Sequence, residues 1–139
     1  MIDNQLSWDD ASERRISSGA SKPLYSERSI DEAAMKDIGP ALRRFKKGVR
    51  RIYGKRLRQV LLFGSWARKE AREDSDVDVA VVLSGPVRPG REIDRMIDLV
   101  TRVNLEHGVL MAVYPLSESD FRTLQSPLLM NIRKEGVAA

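Results

Sequence analysis

Apolar positions along the chain fall into runs of two kinds. Ile38, Leu42, Phe45, Val49 and Ile52 recur at steps of four, three, four and three, which lays one apolar stripe along a helix. Ser29-Ile-Asp-Glu32 has the form of a capping box, so the helix is expected to start at Ser29. Gly39-Pro40 predicts an interruption or restart, because proline has no N–H to give the preceding turn, and Gly54 predicts the end. Ile93, Met96, Ile97, Val100 and Val103 predict a second amphipathic helix. It should follow a loop marked by Gly85, Pro86, Pro89 and Gly90, and close near Gly108. The other kind of run is short and continuously apolar: Val60 to Phe63, Val77 to Leu83, and Val109 to Tyr114 closed by Pro115. These read as buried strands. Ser117-Glu-Ser-Asp120 and Ser126-Pro127 open two short terminal helices, with Gly136 as the last stop signal.

Strands alternating with helices predict an α/β (α+β) fold, a small mixed sheet flanked by helices in two or three layers. Residues 1–28 stand apart. They are rich in Ser, Asp, Glu and Arg, with few large apolar side chains beyond Trp8 and Leu24. They are expected to form a mobile arm ahead of a domain at 29–139. A short helix from Trp8 to Arg15, capped by Ser7, is the competing expectation.

Composition narrows the chemistry. The chain has 139 residues, 42% of them hydrophobic, which fits one compact domain. It has no cysteine and one histidine, His107. Disulfides, zinc–cysteine sites, thiol nucleophiles and paired-histidine chemistry are therefore excluded. Catalysis has to run on carboxylates, hydroxyls and basic groups. No apolar run approaches the roughly 20 residues that cross a bilayer, and the N-terminus lacks a secretory profile, so a cytoplasmic protein is expected. The formal charge is +4. Much of the excess sits at Arg43, Arg44, Lys46, Lys47, Arg50, Arg51, Lys55, Arg56 and Arg58, which read first as a solvated face and second as a surface for an acidic partner.

The specific signal lies between Leu61 and Leu83. Asp76 and Asp78 stand two apart at the head of a valine-rich strand, so the period of two directs both carboxylates to one face. An acid among Val77, Val79, Val81 and Val82 demands compensation, and a hard divalent cation supplies it. The bland alternative is an Asp-rich turn in which Asp74, Ser75 and Asp76 cap loop amides. Gly64 and Ser65 follow the first strand directly and precede a helix-compatible stretch, Trp66 to Glu70. A glycine there allows close backbone approach to a ligand, while Ser65 and the amides after it suit phosphate oxygens. Arg68 adds a positive charge. A helix N-cap is the competing reading of Gly64-Ser65.

Together these residues form Gly-Ser, ten intervening residues, then Asp-x-Asp, with Ser65-Trp-Ala-Arg68 and Ser75-Asp76-Val-Asp78 as flanks. The pattern resembles the minimal nucleotidyltransferase (MNT) group of the DNA polymerase beta superfamily, in particular MntA-like antitoxins. The likeness is densest over residues 57–83 and extends in outline from Ile38 to Gly136, where Asn131-Ile-Arg-Lys-Glu135-Gly136 is similar to the ends of such proteins. The resemblance implies a polymerase-beta-like fold and an ATP or other NTP substrate. It implies nucleotide binding by Gly64, Ser65, Arg68 and Ser75, Mg2+ or Mn2+ on Asp76 and Asp78, and catalytic roles for Asp76, Asp78 and Ser65. It also implies transfer of AMP to a hydroxyl, for which a tyrosine of a HEPN toxin is the candidate acceptor. The alternative is a nucleotide-binding antitoxin of weak activity that acts by contact. Nucleic acid is the least favoured partner, because no aromatics interleave with the basic run; an oligomer is left open.

One departure stands out. The family supplies a third carboxylate from a later strand, and Val109 to Tyr114 contains no acid. Ala112 falls about where it is expected, and Glu106, Asp94 and Asp98 are weak substitutes. The chain also leaves no room for an acceptor-binding domain, so the acceptor is expected to be the partner or to be held by it.

Overall fold

The computed structural model describes the backbone of residues 32–72 and 75–139, with side chains from Ile38 onward. The expected arm at 1–28, the alternative helix at Trp8–Arg15, the capping serine Ser29 and the turn residue Asp74 lie outside these residues. In chain order the elements are α1 (Glu32–Tyr53), a 3-10 turn (Gly54–Arg56), β1 (Leu57–Phe63), β2 (Val77–Leu83), α2 (Pro89–His107), β3 (Met111–Ser117), α3 (Glu118–Thr123), α4 (Pro127–Glu135) and β4 (Val137–Ala138). The strands form one mixed sheet in the order β3-β2-β1-β4. β1 runs antiparallel to β2 and β4, and β2 parallel to β3.

Alternation along the strands divides the core between two faces. Val60, Leu62, Val77, Val79 and Val81 point toward α1 and α2, which bring Leu42, Phe45, Val49, Met96 and Val103. Leu61, Phe63, Ala80 and Val82 point the other way, toward Phe121 of α3 and Leu129 and Ile132 of α4. Asp78 shares the parity of Ala80 and Val82 and so lies on the α4 face. The expected α/β class, small mixed sheet and flanking helices are all present.

Helix ends follow local chemistry. Gly108 takes a left-handed φ of 62° after His107, and its N–H returns to the Asn104 carbonyl. Ser117 Oγ accepts from the Asp120 N–H at 3.0 Å, and Ser126 Oγ from the Leu129 N–H at 3.2 Å, capping α3 and α4 as expected.

Several expectations need correction. Pro40 does not break α1, which runs unbroken through it. An interior proline costs about 3 kcal/mol, while Ile38, Leu42, Phe45 and Val49, at 3% exposure or less, each contribute about 1.5–3 kcal/mol of burial. Packing therefore outweighs the break. Both stripes are rotated at their edges. Ile52 is 40% exposed, and the neighbouring Tyr53 is buried instead; Ile93 and Ile97 are 41% and 48% exposed, while Glu92 is 3% exposed. That carboxylate accepts the Tyr53 hydroxyl at 2.9 Å, a polar bolt between α1 and α2. Burial and the adjacent Glu92 push the Tyr53 phenol well above its ordinary pKa.

The strands shift as well. β1 begins at Leu57, three residues early, through an irregularity between Leu57 and Gln59. β3 runs through Pro115, which pairs with Val81, because an edge strand needs no donor on its open side. β4, only two residues long, was not predicted. Four of the nine basic residues in the run have partners among the described residues: Arg44 with Glu106, Lys46 with the Ala139 carbonyl, Arg56 with the Ser84 and Pro86 carbonyls, and Arg58 with Glu118. Among the described residues no helix is long and apolar enough to cross a membrane.

Candidate functional site

The antiparallel pairing of β1 with β2 places Phe63 opposite Asp78. The segment joining the two strands, Gly64 to Asp76, therefore starts and ends at one end of the sheet, and brings Gly64-Ser65 to the carboxylates, the first of which follows Ser65 after ten intervening residues. Gly64 is buried with φ 77°, and a Cβ built on it would meet the Asp78 carboxylate. Both the backbone angle and the missing side chain make this position a glycine.

The expected helix after Ser65 is a single turn. The Arg68 N–H donates to the Gly64 carbonyl, the Glu70 N–H to Ser65, and the Lys69 N–H to Trp66, with Lys69 left-handed at φ 63°. This is the bond pattern of a Schellman close, so the turn ends as soon as it forms. Trp66 and Ala67 pack on the α1 side of the core. The Trp66 indole Nε1 donates to the Ser75 carbonyl at 3.3 Å, linking the two arms of the segment. Ser75 Oγ accepts the Arg72 N–H at 2.9 Å, so Ser75 shapes the loop.

The Asp76 carboxylate is exposed and that of Asp78 half-buried. Neither makes a hydrogen bond or ion pair with another described residue. Burial first, then the charge of Asp76, raises the Asp78 pKa; Arg68 opposes the rise and Glu135 adds to it. Two unpartnered carboxylate groups that repel each other are the donor set a hard divalent cation relieves. Among the described residues no group of three or more acids and histidines comes together as a metal cage.

The other acids fall into place by register. Ala112 lies directly beside Asp78 in the β2–β3 ladder, so the position of the expected third carboxylate is filled by a methyl group. Glu106 is paired with Arg44, and Asp94 and Asp98 are exposed on α2. None of the three replaces it.

Two residues of this site are absent from the sequence expectation. Glu135, at the end of α4, accepts the Gly64 N–H at 3.0 Å and Arg68 Nη1 at 3.0 Å, both on Oε1. Arg68 Nε donates to Glu70 Oε1 at 3.0 Å, and the two carboxylates, Glu70 first, raise the guanidinium pKa further. Tyr114 lies on the Asp78 face, its ring edge-on to Phe63 at 5.2 Å between centroids. Burial, Asp78 and Asp76 in that order raise its phenol pKa. Glu135 lies 71 residues from Gly64, and its only sequence signal is its place before Gly136 in the closing motif.

The sequence profile described as "Nucleotidyltransferase domain" matches residues 42–135. Two curated proteins of Methanocaldococcus jannaschii are similar. "Putative protein adenylyltransferase MJ0604" is 32% identical over 97 residues, covering 69% of this chain and 91% of the relative. "Putative protein adenylyltransferase MJ0141" is 32% identical over 76 residues, covering 55% and 76%. Among solved structures, one described as a toxin-antitoxin with AMP-PNP aligns at a TM-score of 0.45 and 16% identity, covering 63% of this chain and 64% of that one. The profile spans β1 to β3, the Gly-Ser turn, the aspartate pair and α4, and the first relative matches over two thirds of the chain: this chain belongs to the nucleotidyltransferase domain family and is a nucleotidyltransferase.

Proposed function

We propose that the chain is a Mg2+-dependent adenylyltransferase of the cytoplasm that moves AMP from ATP to a hydroxyl of a protein partner, in the manner of an MntA-like antitoxin acting on a tyrosine of a HEPN toxin. The observation that carries the reading is the pair Asp76 and Asp78, without partners among the described residues, beside a turn in which Gly64 leaves room for the Asp78 carboxylate. A protein acceptor is supported by the relatives, which bear the name protein adenylyltransferase.

Asp76 and Asp78 hold the divalent cation, Mg2+ or Mn2+, which when bound stabilises charge on the transferring phosphoryl group and on the leaving pyrophosphate. The Ser65 hydroxyl and the amides at the head of the turn, ahead of the Arg68, Lys69 and Glu70 N–H groups that the turn itself uses, bind the β- and γ-phosphates. The Gly64 amide is already taken by Glu135, so Gly64 serves phosphate binding through its shape. Arg68 lends positive charge, and Ser75 keeps the loop closed. In transfer, the acceptor oxygen bonds the α-phosphorus as the bond to pyrophosphate breaks, and the hydroxyl proton leaves to solvent. A phenol, with a pKa of about 10, needs less help from a base than an aliphatic hydroxyl. That matches a site where Ala112 offers none.

Incubation with labelled ATP, Mg2+ and a lysate containing the partner should give labelled protein, and Asp78→Ala should abolish the label with its circular dichroism unchanged. Label persisting at the same level in that variant overturns the assignment. The methyl group of Ala112 beside Asp78 favours one second reading, a binder that neutralises its partner by contact. Under that reading, replacing Asp76 and Asp78 together leaves neutralisation intact.

A further inference from the structure

We propose that Glu135 is a positioning residue of the nucleotide site: its carboxylate clasps the Gly64 amide and the Arg68 guanidinium, holding the turn and its cation ready for the triphosphate. The inference deepens the proposed function and rests on it for the identity of the ligand. One carboxylate oxygen accepts from both groups at 3.0 Å, and the side chain is only 19% exposed. The bond from Gly64 is part-buried and the bond from Arg68 exposed; a charged acceptor makes each stronger than a neutral hydrogen bond.

The backbone fixes where the clasp sits. Val137 and Ala138 pair with Leu62 and Leu61. Carried two steps on, that antiparallel register brings Glu135 opposite Gly64. The Glu135 side chain thus takes the Gly64 N–H where the next ladder bond would fall, and closes the sheet edge at which β1 becomes the turn. On its other side Glu135 ends α4, and the chain turns tightly there: the Gly136 N–H bonds the Ile132 carbonyl, and a Cβ on Gly136 would stand 2.5 Å from that oxygen. Held between α4 and β4, the carboxylate has little freedom to leave when a ligand arrives. Arg68 spends Nε on Glu70 and Nη1 on Glu135. Of the five N–H donors of a guanidinium, three remain for phosphate oxygens.

The clasp therefore acts through two other groups and leaves the reacting atoms alone. Glu135→Ala should raise the KM for ATP by roughly tenfold or more, the scale of one lost charge-assisted hydrogen bond, with kcat within about threefold of the parent. Glu135→Gln, which keeps an acceptor oxygen in place, should recover most of the loss. In the intact protein the Gly64 amide should exchange slowly with solvent, with and without Mg2+ and ATP, and should become fast in Glu135→Ala. If Glu135→Ala fails to fold, the isosteric Gln variant and the Gly64 exchange rate in the parent still decide. Tighter ATP binding by either variant overturns the proposal and makes Glu135 a placeholder that the triphosphate displaces. So does equal impairment of the Ala and Gln variants, or rapid Gly64 exchange in the parent. Absence of ATP binding by the parent, with Gly64 protected, would instead count against the proposed function and leave the clasp standing as a structural contact.

Discussion

Gly64 and Asp78 limit each other, and the limit can be measured. A methyl group at residue 64 would meet the Asp78 carboxylate and would also have to live at φ 77°. Gly64→Ala should therefore lower stability by about 1–3 kcal/mol in urea unfolding and cut nucleotide transfer further than that loss explains. Only the steric share depends on Asp78, so the same change in an Asp78→Ala background should be milder. Equal costs in the two backgrounds would mean that backbone strain alone is responsible. Asp78 carries a second consequence. Its folded pKa is raised, so the protonated form is the one the fold favours. The stability linked to that proton is full below the ordinary aspartate value of about 4 and is lost as pH rises through the folded pKa. Asp78→Asn should then melt above the parent at pH 7, with the gain shrinking as pH falls toward 4. A constant gain across that range would remove the burial argument. These residues were legible in the sequence because their signal is local: a glycine after a strand, and two acids two apart in a valine run. Glu135 was not, because its meaning lies in a contact 71 residues away that α4 and β4 create.

At the scale of elements, legibility followed how much one short pattern decides. The bounds of β2 were read correctly because seven residues are continuously apolar except for Asp78. α2 closed at the left-handed glycine expected of it. Pro40 signals a break only while the core that α1 covers is left out of account, and β4 carries no signal because two residues have no period. Glu92 was invisible for a different reason: a carboxylate inside a helical stripe reads as a surface residue until its partner is known. That partner is Tyr53, donating at 2.9 Å, with only a 3.5 Å contact from the Arg88 N–H to the other oxygen. Tyr53→Phe leaves a buried carboxylate oxygen short of its donor, so the domain should lose about 1–3 kcal/mol. Adding Glu92→Leu to that variant should restore part of the loss, since removing both partners of a buried polar pair is milder than removing one. If the single change costs nothing, the bolt between α1 and α2 contributes no net stability.

On the scale of the whole molecule, the charge around the aspartates departs from that of the chain. The chain carries +4 overall, yet Asp78 faces the negative charges of Asp76 and Glu135 as well as Arg68, and Arg68 is itself held by Glu70 and Glu135. A triphosphate approaching alone meets the repulsion of the Asp76 and Asp78 carboxylates, and a divalent cation approaching alone finds, among the described residues, those two carboxylates to hold it. Each ligand supplies the charge the other lacks, so the two should bind with positive coupling, and by reciprocity each raises the affinity for the other by the same factor. In thermal melts, Mg2+ alone and ATP with EDTA should each move the midpoint little. The pair together, at about a hundred times its Kd, contributes about 2.7 kcal/mol, on the order of 10 °C for a domain of this size. Replacing Asp76 and Asp78 by Asn removes the repulsion along with the cation's ligands. That variant should therefore lose the synergy and bind ATP more evenly with and without Mg2+. A parent protein stabilised as strongly by ATP in EDTA as in Mg2+ would show that the aspartates do not couple cation to nucleotide, and the basic residues left exposed on α1, Arg43, Lys47 and Arg51, would become the better candidates for holding the phosphates.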